Sequence, residues 1–447
     1  MLWYSNNKMI TSIPRILAID DDEKDLNRLM MGLNRLGLAC IPVCFQADNA
    51  TDNISTHPHI RVVFTDLHLI AGGSSTEHRS HFSLIGSILE ETVKPLGPYI
   101  LILWTKFSDQ ASDLQGFLEE RLQNTPKPIS VVAIDKMEFL GQDDDPETIE
   151  RLVSKINGLF EEQPQICALL NWEERVLAAA AETTASVFNL AQGPNRGAEV
   201  GRLLARLAVE AAGKERILQI PEENVIEGRF RAVSEALLPI LADHISVVSS
   251  VYERNDAWMT AFTRSDVNEE FTIEEAAKLN SRAHFASADG VSGSDRGSVI
   301  SLPTQYSCNF EQTFGLSQEC AADKQFRCNE FVVNDDRFRW VLVQSQAACD
   351  FAQQQPGPLP YYLGLELPVT NRRSGTPPAA LWRSPTFKLN GIVQALHVNV
   401  RFPVSLSDME GSCQTPLYRL REQLISNLVF QIHSYGSRPG LISYHET

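Results

Sequence analysis

Three consecutive aspartates stand directly behind a buried-looking apolar run near the start of the chain. The run is Arg15–Ile19, and the acids are Asp20, Asp21 and Asp22. Carboxylates crowded at the end of a strand repel one another and lose hydration, so they need positive charge among them. The pattern predicts a strand whose end carries a cation site, and Asp21 or Asp22 can also cap the helix that follows.

The pairing of a short apolar strand with an amphipathic helix repeats along the first third of the chain. The further predicted strands are Leu38–Phe45, Arg61–Thr65, Tyr99–Trp104 and Ile129–Ile134, and the predicted helices are one that Gly37 stops, Phe82–Val93, Asp109–Gln123 and one that begins at Asp145–Pro146. Strands rich in Ile, Val and Leu without polar alternation indicate a parallel sheet covered on both faces. The sequence therefore predicts an α/β fold with a doubly wound five-stranded parallel sheet.

Polar side chains follow four of these five strands. Asp20 and Asp21 follow the first, Asp66 the third, Thr105 the fourth and Lys136 the fifth. Ligands of doubly wound sheets bind beyond the carboxyl ends of the strands, so we expect these side chains to share one site.

This constellation resembles the receiver domain of two-component response regulators, and the resemblance covers residues 14–162. It implies that Asp66 accepts a phosphoryl group and that Asp20, Asp21 and Asp66 hold Mg²⁺, which prefers oxygen ligands. It also implies that Thr105 and Lys136 contact the phosphoryl oxygens. The reaction that the resemblance implies is therefore the acceptance of a phosphoryl group by this domain.

The chain departs from the family's pattern at several places. The family usually has a small residue, a proline and an aromatic residue where this chain has Lys106, Met137 and Ala133. The loop after Asp66 is also longer than is typical; it contains Gly72, Gly73, His78 and His81, and the two histidines are expected to be solvated.

Charge and hydrophobicity limit the partners and the compartment. The formal net charge of −17 makes nucleic acid and anionic membrane unfavourable partners. No apolar run approaches the roughly 18 to 20 residues that cross a bilayer, and the first residues lack the layout of a signal peptide. Eight cysteines are too sparse for a disulfide scaffold and are expected to be thiols. We expect a cytoplasmic protein that binds another protein.

Two further regions follow the receiver-like segment. Alanine-rich amphipathic patterning over 163–250 predicts a helical connector that can form a small bundle or a homodimer interface. Short strands punctuated by Gly, Pro, Asn and Asp over 251–447 predict a β-rich mixed output domain, like a barrel or a sandwich with helices around it. The predicted strands are 297–303, 330–335, 338–346, 361–369 and 394–402, and a last helix is predicted over 417–435.

A second candidate site falls in the β-rich region. Cys349 and Asp350 follow an apolar strand, and His284 and His397 occur elsewhere in the same region. A cysteine, a histidine and an aspartate that meet in space can form a nucleophilic site. The more ordinary interpretation is a small apolar side chain beside a turn-forming aspartate.

The leading interpretation is a response-regulator-like signalling protein. The resemblance implies a phosphoryl donor that is histidine-kinase-like or an ATPase of the histidine-kinase and heat-shock-chaperone (GHKL) type, and receivers fused to such output regions look similar to components of bacterial stress and phage-defence operons. One alternative is a phosphorylation-independent adaptor that uses the receiver fold as a docking surface. Another is hydrolase or nuclease activity in the C-terminal region, although the sequence lacks a phosphate loop, a His-Glu-x₂-His motif and a Gly-x-Ser-x-Gly motif.

Overall fold

The structure is a computed structural model, and it describes residues 15–46, 59–70, 78–93, 98–121, 127–139, 146–192, 194–218, 220, 222–247, 257–353 and 357–438. The chain divides into two compact units, Met1–Glu182 with Asp243–Val267, and Thr183–Ala242 with Asn268–Thr447. The predicted helical connector contributes residues to both units. Within the described ranges, no helix combines the length and the apolar character that crossing a membrane requires.

The first unit is built on a five-stranded parallel sheet. Its strands are β1 (Ile16–Asp20), β2 (Cys40–Cys44), β3 (Val62–Thr65), β4 (Ile100–Thr105) and β5 (Ser130–Asp135), in the order β2-β1-β3-β4-β5. Its first four helices are α1 (Glu23–Arg35), α2 (His78–Thr92), α3 (Ala111–Arg121) and α4 (Pro146–Glu161). These elements confirm the predicted α/β architecture.

Both faces of this sheet are covered by apolar side chains. Leu17 and Ile19 of β1 belong to a core that includes residues of α2 and α3, whereas Ile16 and Ala18 belong to a core that includes residues of α1 and α4. Successive residues of a strand point to opposite faces, so a strand that is apolar throughout fits only between two layers of helices. The sheet is therefore doubly wound, and its strand ends are left to carry polar groups.

Local signals explain how the helix beside the site begins and ends. The Asp22 carboxylate accepts hydrogen bonds from the backbone N–H groups of Lys24 and Asp25, which caps α1. Gly37 follows α1 with a φ of +72°, a left-handed conformation that glycine adopts at little cost. Helix α2 begins at His78, four residues before the predicted start.

Helical structure continues through the connector, in α5 (Pro164–Phe188), α6 (Arg196–Ala212), α7 (Lys214–Leu218), α8 (Val225–Val247), α9 (Ala257–Thr260) and α10 (Arg264–Val267). The first part of α5 packs within the first unit. Ile166 is buried in the core on the α1 and α4 face, and Glu173 forms ion pairs with Arg61 at 2.8 Å and Arg15 at 3.7 Å. The helical prediction for this region is confirmed.

The second unit contains a single antiparallel sheet among its described residues. Its elements are α11 (Ile273–His284), β6 (Phe285–Ala286), β7 (Ser298–Ser301), α12 (Thr304–Ser307), α13 (Phe310–Phe314), α14 (Gln318–Cys320), β8 (Arg339–Gln344), α15 (Ala348–Gln353), β9 (Leu359–Pro368), β10 (Leu381–Arg383), β11 (Phe387–Leu389), β12 (Ile392–Leu406), α16 (Asp408–Ser412), β13 (Pro416–Leu420) and α17 (Glu422–Gly436). The strand order is β10-β12-β9-β8-β7-β13-β6, and β11 pairs with β12. The predicted β-rich character is confirmed.

Two predictions of local structure in this unit are wrong. Residues 330–335 form turns rather than a strand, because Glu330 and Asn334 both have positive φ. The first residues of the predicted last helix form β13 instead. Their burial alternates along Pro416–Leu420, the period of a strand, and the helix starts only at Glu422.

Candidate functional site

A buried lysine joins the ends of three elements at the carboxyl edge of the parallel sheet. Lys136 directly follows β5, and its Nζ lies 2.6 Å from Asp66 Oδ2, 2.9 Å from Asp25 Oδ2 and 3.3 Å from Asp20 Oδ2. Asp66 follows β3, Asp20 ends β1, and Asp25 lies in the first turn of α1. The structure therefore brings three predicted site residues together and adds Asp25.

The site contains more negative charge than one ammonium can balance. Burial raises the pKa of Asp20 to about 7, although the backbone N–H of Asp22, 2.9 Å from Asp20 Oδ1, and the Lys136 charge both act to lower it. Burial alone would lower the pKa of Lys136, but the charge of Asp66 and its hydrogen bond keep that pKa above its ordinary value. The raised pKa of Asp20 marks a position where further positive charge is favourable.

Three of the carboxylates have the arrangement of a metal site. One ligand oxygen from each of Asp20, Asp21 and Asp66 lies within 4.8 Å of the others, and these residues form the one such cluster among the described residues. Asp20 and Asp66 are buried, whereas Asp21 is exposed to solvent. An all-oxygen donor set with one open side suits a hard cation such as Mg²⁺.

The predicted hydroxyl lies at the same edge of the sheet. Thr105 ends β4, is fully buried, and pairs in register with Asp135, the residue before Lys136. Its Oγ1 accepts a long hydrogen bond of 3.4 Å from the backbone N–H of Phe107. In this bond the hydroxyl acts as an acceptor, so its own proton is not used and can be donated to an oxygen bound beside the strand ends.

A stack of rings that sequence reasoning missed lies next to Asp66. The His68 ring stacks on His81 with a centroid distance of 4.1 Å and on Phe107 at 4.3 Å, and His68 Nε2 lies 3.2 Å from His78 Nδ1. Burial lowers the pKa of both His68 and His81, and neighbouring histidines lower it further.

The expectation that His78 and His81 are solvated loop residues is therefore wrong. Both belong to α2, and His81 is buried, because the helix starts earlier than its apolar residues suggested. The spacing of His78, His81 and Phe82 was the available signal, since residues three or four apart share a helix face. Gly72 and Gly73 lie outside the described residues.

The predicted residues of the C-terminal site have separate neighbours. Cys349 and Asp350 are both exposed, and the Cys349 thiol donates a hydrogen bond of 3.4 Å to Asp350 Oδ1. His397 is fully buried, and its Nδ1 lies 2.7 Å from the carbonyl oxygen of Phe326. His284 ends α11, and its Nδ1 has no hydrogen-bond partner in the described part of the chain. Within residues 257–353 and 357–438, no hydrogen bond joins either histidine to Cys349 or Asp350.

Comparison with known proteins adds no assignment: no family model matches this chain, and no curated protein matches it. The five-stranded parallel sheet and its buried acidic cluster are nevertheless receiver-like in geometry.

Proposed function

We propose that the first unit is a receiver domain in which Asp66 accepts a phosphoryl group and the connector and the C-terminal unit respond to that change. The observation that carries the proposal is the contact of Lys136 with both Asp66 and Asp20 at the ends of three parallel strands. The phosphoryl donor would be a histidine-kinase-like or GHKL-type partner. The setting would be a bacterial stress or phage-defence response.

The residues divide the chemistry among them. An oxygen of the Asp66 carboxylate forms a new bond to phosphorus, while the bond from phosphorus to the donor breaks and its electron pair leaves with the donor. Lys136 Nζ already lies at hydrogen-bond distance from Asp66, so its positive charge can stay beside the acyl phosphate that forms. Thr105 can offer its hydroxyl proton to a phosphoryl oxygen from the end of the neighbouring strand.

The donor set fits a divalent cation. Asp20, Asp21 and Asp66 would hold Mg²⁺, and the excess of carboxylates over ammonium groups favours its binding. When bound, Mg²⁺ neutralises charge on the transferred group and on its donor. Asp25, through its bond to Lys136, keeps the ammonium oriented between the strand ends.

Phosphorylation by a small-molecule donor tests the proposal directly. The full chain would be incubated with acetyl phosphate and Mg²⁺, and incorporation of one phosphoryl group would be measured by intact mass. We expect one alkali-labile, hydroxylamine-sensitive phosphoryl group in the wild type and none in Asp66→Asn. Asp109→Asn is the matched control, since Asp109 is an exposed aspartate in the same unit, and it should be labelled like the wild type.

Absence of label in the wild type, or equal label in Asp66→Asn, would contradict the proposal. The adaptor alternative makes the opposite prediction for function: partner binding would be the same for wild type and Asp66→Asn, with or without beryllofluoride and Mg²⁺.

A further inference from the structure

Four arginines meet at one corner of the antiparallel sheet in the second unit. This arginine cluster comprises Arg327, Arg372, Arg373 and Arg383. The backbone N–H of Arg373 donates to Arg327 O at 3.1 Å, and Arg372 forms a β-bridge with Cys328. Arg383 ends the edge strand β10 and donates from Nη2 to Arg373 O at 3.1 Å. Arginines from three separate segments of the chain therefore lie close together at this corner of the sheet.

The positive charge of the arginine cluster is poorly balanced by the protein. Within residues 257–353 and 357–438, Arg373 is the one member with an ion pair, which it forms with Asp323. Burial lowers the pKa of Arg383, and the charges of Arg372 and Arg327 lower it further. Guanidinium groups that repel one another at a half-buried position favour an anion between them. The concentration is notable in a chain with 56 acidic and 39 basic residues.

Two of these guanidinium groups are fixed in position by backbone carbonyls. Arg327 Nη2 donates to Ser374 O at 2.7 Å, and Arg383 Nη1 donates to Gly375 O at 3.1 Å. The Nε atoms of both arginines are buried and have no hydrogen-bond partner among the residues that the structure describes. Arg327 also has a φ of +53°, a conformation that is costly for a residue with a side chain. These side chains are therefore already ordered in the folded protein, so binding a ligand costs less conformational entropy.

A buried, neutral histidine lies next to the arginine cluster. His397 of β12 pairs in register with Arg383 of β10, so their side chains lie on the same face of the sheet. Its Nδ1 lies at hydrogen-bond distance from the Phe326 carbonyl oxygen, and its buried Nε2 has no partner within the described segments of the chain. Burial lowers the pKa of His397 to about 4, so the ring is neutral near pH 7.

Arginines often serve only to tie a loop, and the bonds to residues 373–375 are of that kind. That role leaves Arg372 unexplained, since its guanidinium makes no ion pair and no hydrogen bond in the described part of the second unit. An arginine held in such a group without a structural partner is suited to bidentate contact with an incoming oxyanion.

We propose that the arginine cluster binds the phosphate group of a small phosphorylated ligand. Phosphate offers several oxygens in the geometry that guanidinium groups match, and a doubly charged anion offsets the repulsion among Arg327, Arg372 and Arg383. This site lies in the second unit and does not depend on phosphorylation of Asp66.

Calorimetric titration of the full chain tests the site with three probes: inorganic phosphate, adenosine 5′-monophosphate and adenosine. We expect saturable binding of one equivalent of each phosphate-bearing probe and no binding of adenosine. Equal affinity for both phosphates would identify the phosphate alone as the ligand group, and tighter binding of the nucleotide would identify a nucleotide. Adenosine binding as tightly as its monophosphate would overturn the proposal.

Variants assign the binding to the cluster. Arg372→Gln removes a guanidinium that makes no ion pair or hydrogen bond in the described part of the second unit, so it should fold normally and weaken binding by about tenfold or more, or about 1.4 kcal/mol. Arg372→Lys keeps the positive charge but loses the paired N–H donors of the guanidinium, so this variant should bind phosphate with intermediate affinity. The control is Arg401→Gln, an exposed arginine outside the cluster, which should bind like the wild type. No binding by the wild type at about 10 mM phosphate, where a site of about millimolar affinity would be mostly filled, or equal affinity in Arg372→Gln and Arg401→Gln, would overturn the proposal.

Discussion

Lys136 Nζ and Asp66 Oδ2 lie 2.6 Å apart, although 70 residues separate them in the chain. The ammonium is 3% exposed and reaches two further carboxylates, those of Asp20 and Asp25. A single ammonium thus lies among three carboxylates, of which Asp20 and Asp66 are buried. This relationship makes the site sensitive to the loss of one charge.

Lys136→Met should destabilise the first unit. The substitution keeps the length of the side chain but leaves Asp20, Asp25 and Asp66 without their cation, and breaking a buried ion pair in this way costs about 3 to 5 kcal/mol. Amide hydrogen exchange of β1 and β3 in the full chain measures the stability of this unit separately. Lys155→Met, at an exposed position of α4, should change exchange little.

The same variant tests the metal site. Since Mg²⁺ can replace part of the lost positive charge, it should protect β1 and β3 more strongly in Lys136→Met than in the wild type. Equal protection of the two proteins by Mg²⁺ would argue against a cation site at these carboxylates.

Gly32→Ala should destabilise the packing of α1 against α4. A Cβ at residue 32 would lie 2.9 Å from Leu152 Cδ2, and Leu152 is fully buried, so the core has to shift. We expect a loss of about 1 to 3 kcal/mol in the free energy of unfolding. Gly116 of α3 is the comparison, because no described residue lies within 4 Å of its added Cβ, and Gly116→Ala should stabilise by about 0.5 to 1 kcal/mol. Thermal unfolding of the two variants should move in opposite directions.

The stability of the second unit should depend on pH through His397. Its pKa is about 4 in the folded chain against an ordinary value of 6.5, so between these values the unfolded chain binds the proton and the folded chain does not. This contribution is complete above pH 6.5 and is lost as the pH falls toward 4, by up to about 3 kcal/mol. The neighbours that oppose protonation are Arg383 of β10 and Arg372 before it.

His397→Gln should remove that part of the pH dependence. Hydrogen exchange of β12 and β9 at several pH values measures it in the full chain, and His433→Gln, at an exposed histidine of α17, should retain the wild-type dependence. Identical profiles for His397→Gln and the wild type would show that another group is responsible.

The parallel sheet was predictable because its strands are apolar on both faces and are followed by polar residues at their ends. Asp20, Asp66 and Lys136 could be predicted to meet because parallel strands share one carboxyl edge. Asp25 could not, since it contacts Lys136 from the first turn of a helix and not from the end of a strand. The ring stack of His68, His81 and Phe107 was hidden for a similar reason, because it joins a loop, α2 and the residues after β4.

In the second unit, local sequence patterns predicted the secondary structure and the side-chain clusters less well. Residues Pro416–Leu420 alternate in burial, but the helical pattern of α17 directly follows them and conceals the strand. The arginine cluster gave no signal in the sequence, because Arg327, Arg372 and Arg383 are brought together only when β10 pairs with β12 and the residues after β9 meet Arg327 and Cys328.

The position of Lys136 along the chain also sets an order of events on the ribosome. Strands β2, β1 and β3 are made before the lysine and can pair with one another early, because they are neighbours in the sheet. The lysine arrives last of the four contacting groups, 116 residues after Asp20. Before Lys136 has been synthesised, Asp20, Asp25 and Asp66 have no lysine to pair with. The site can therefore form only after β5 has been made and has joined the edge of the sheet.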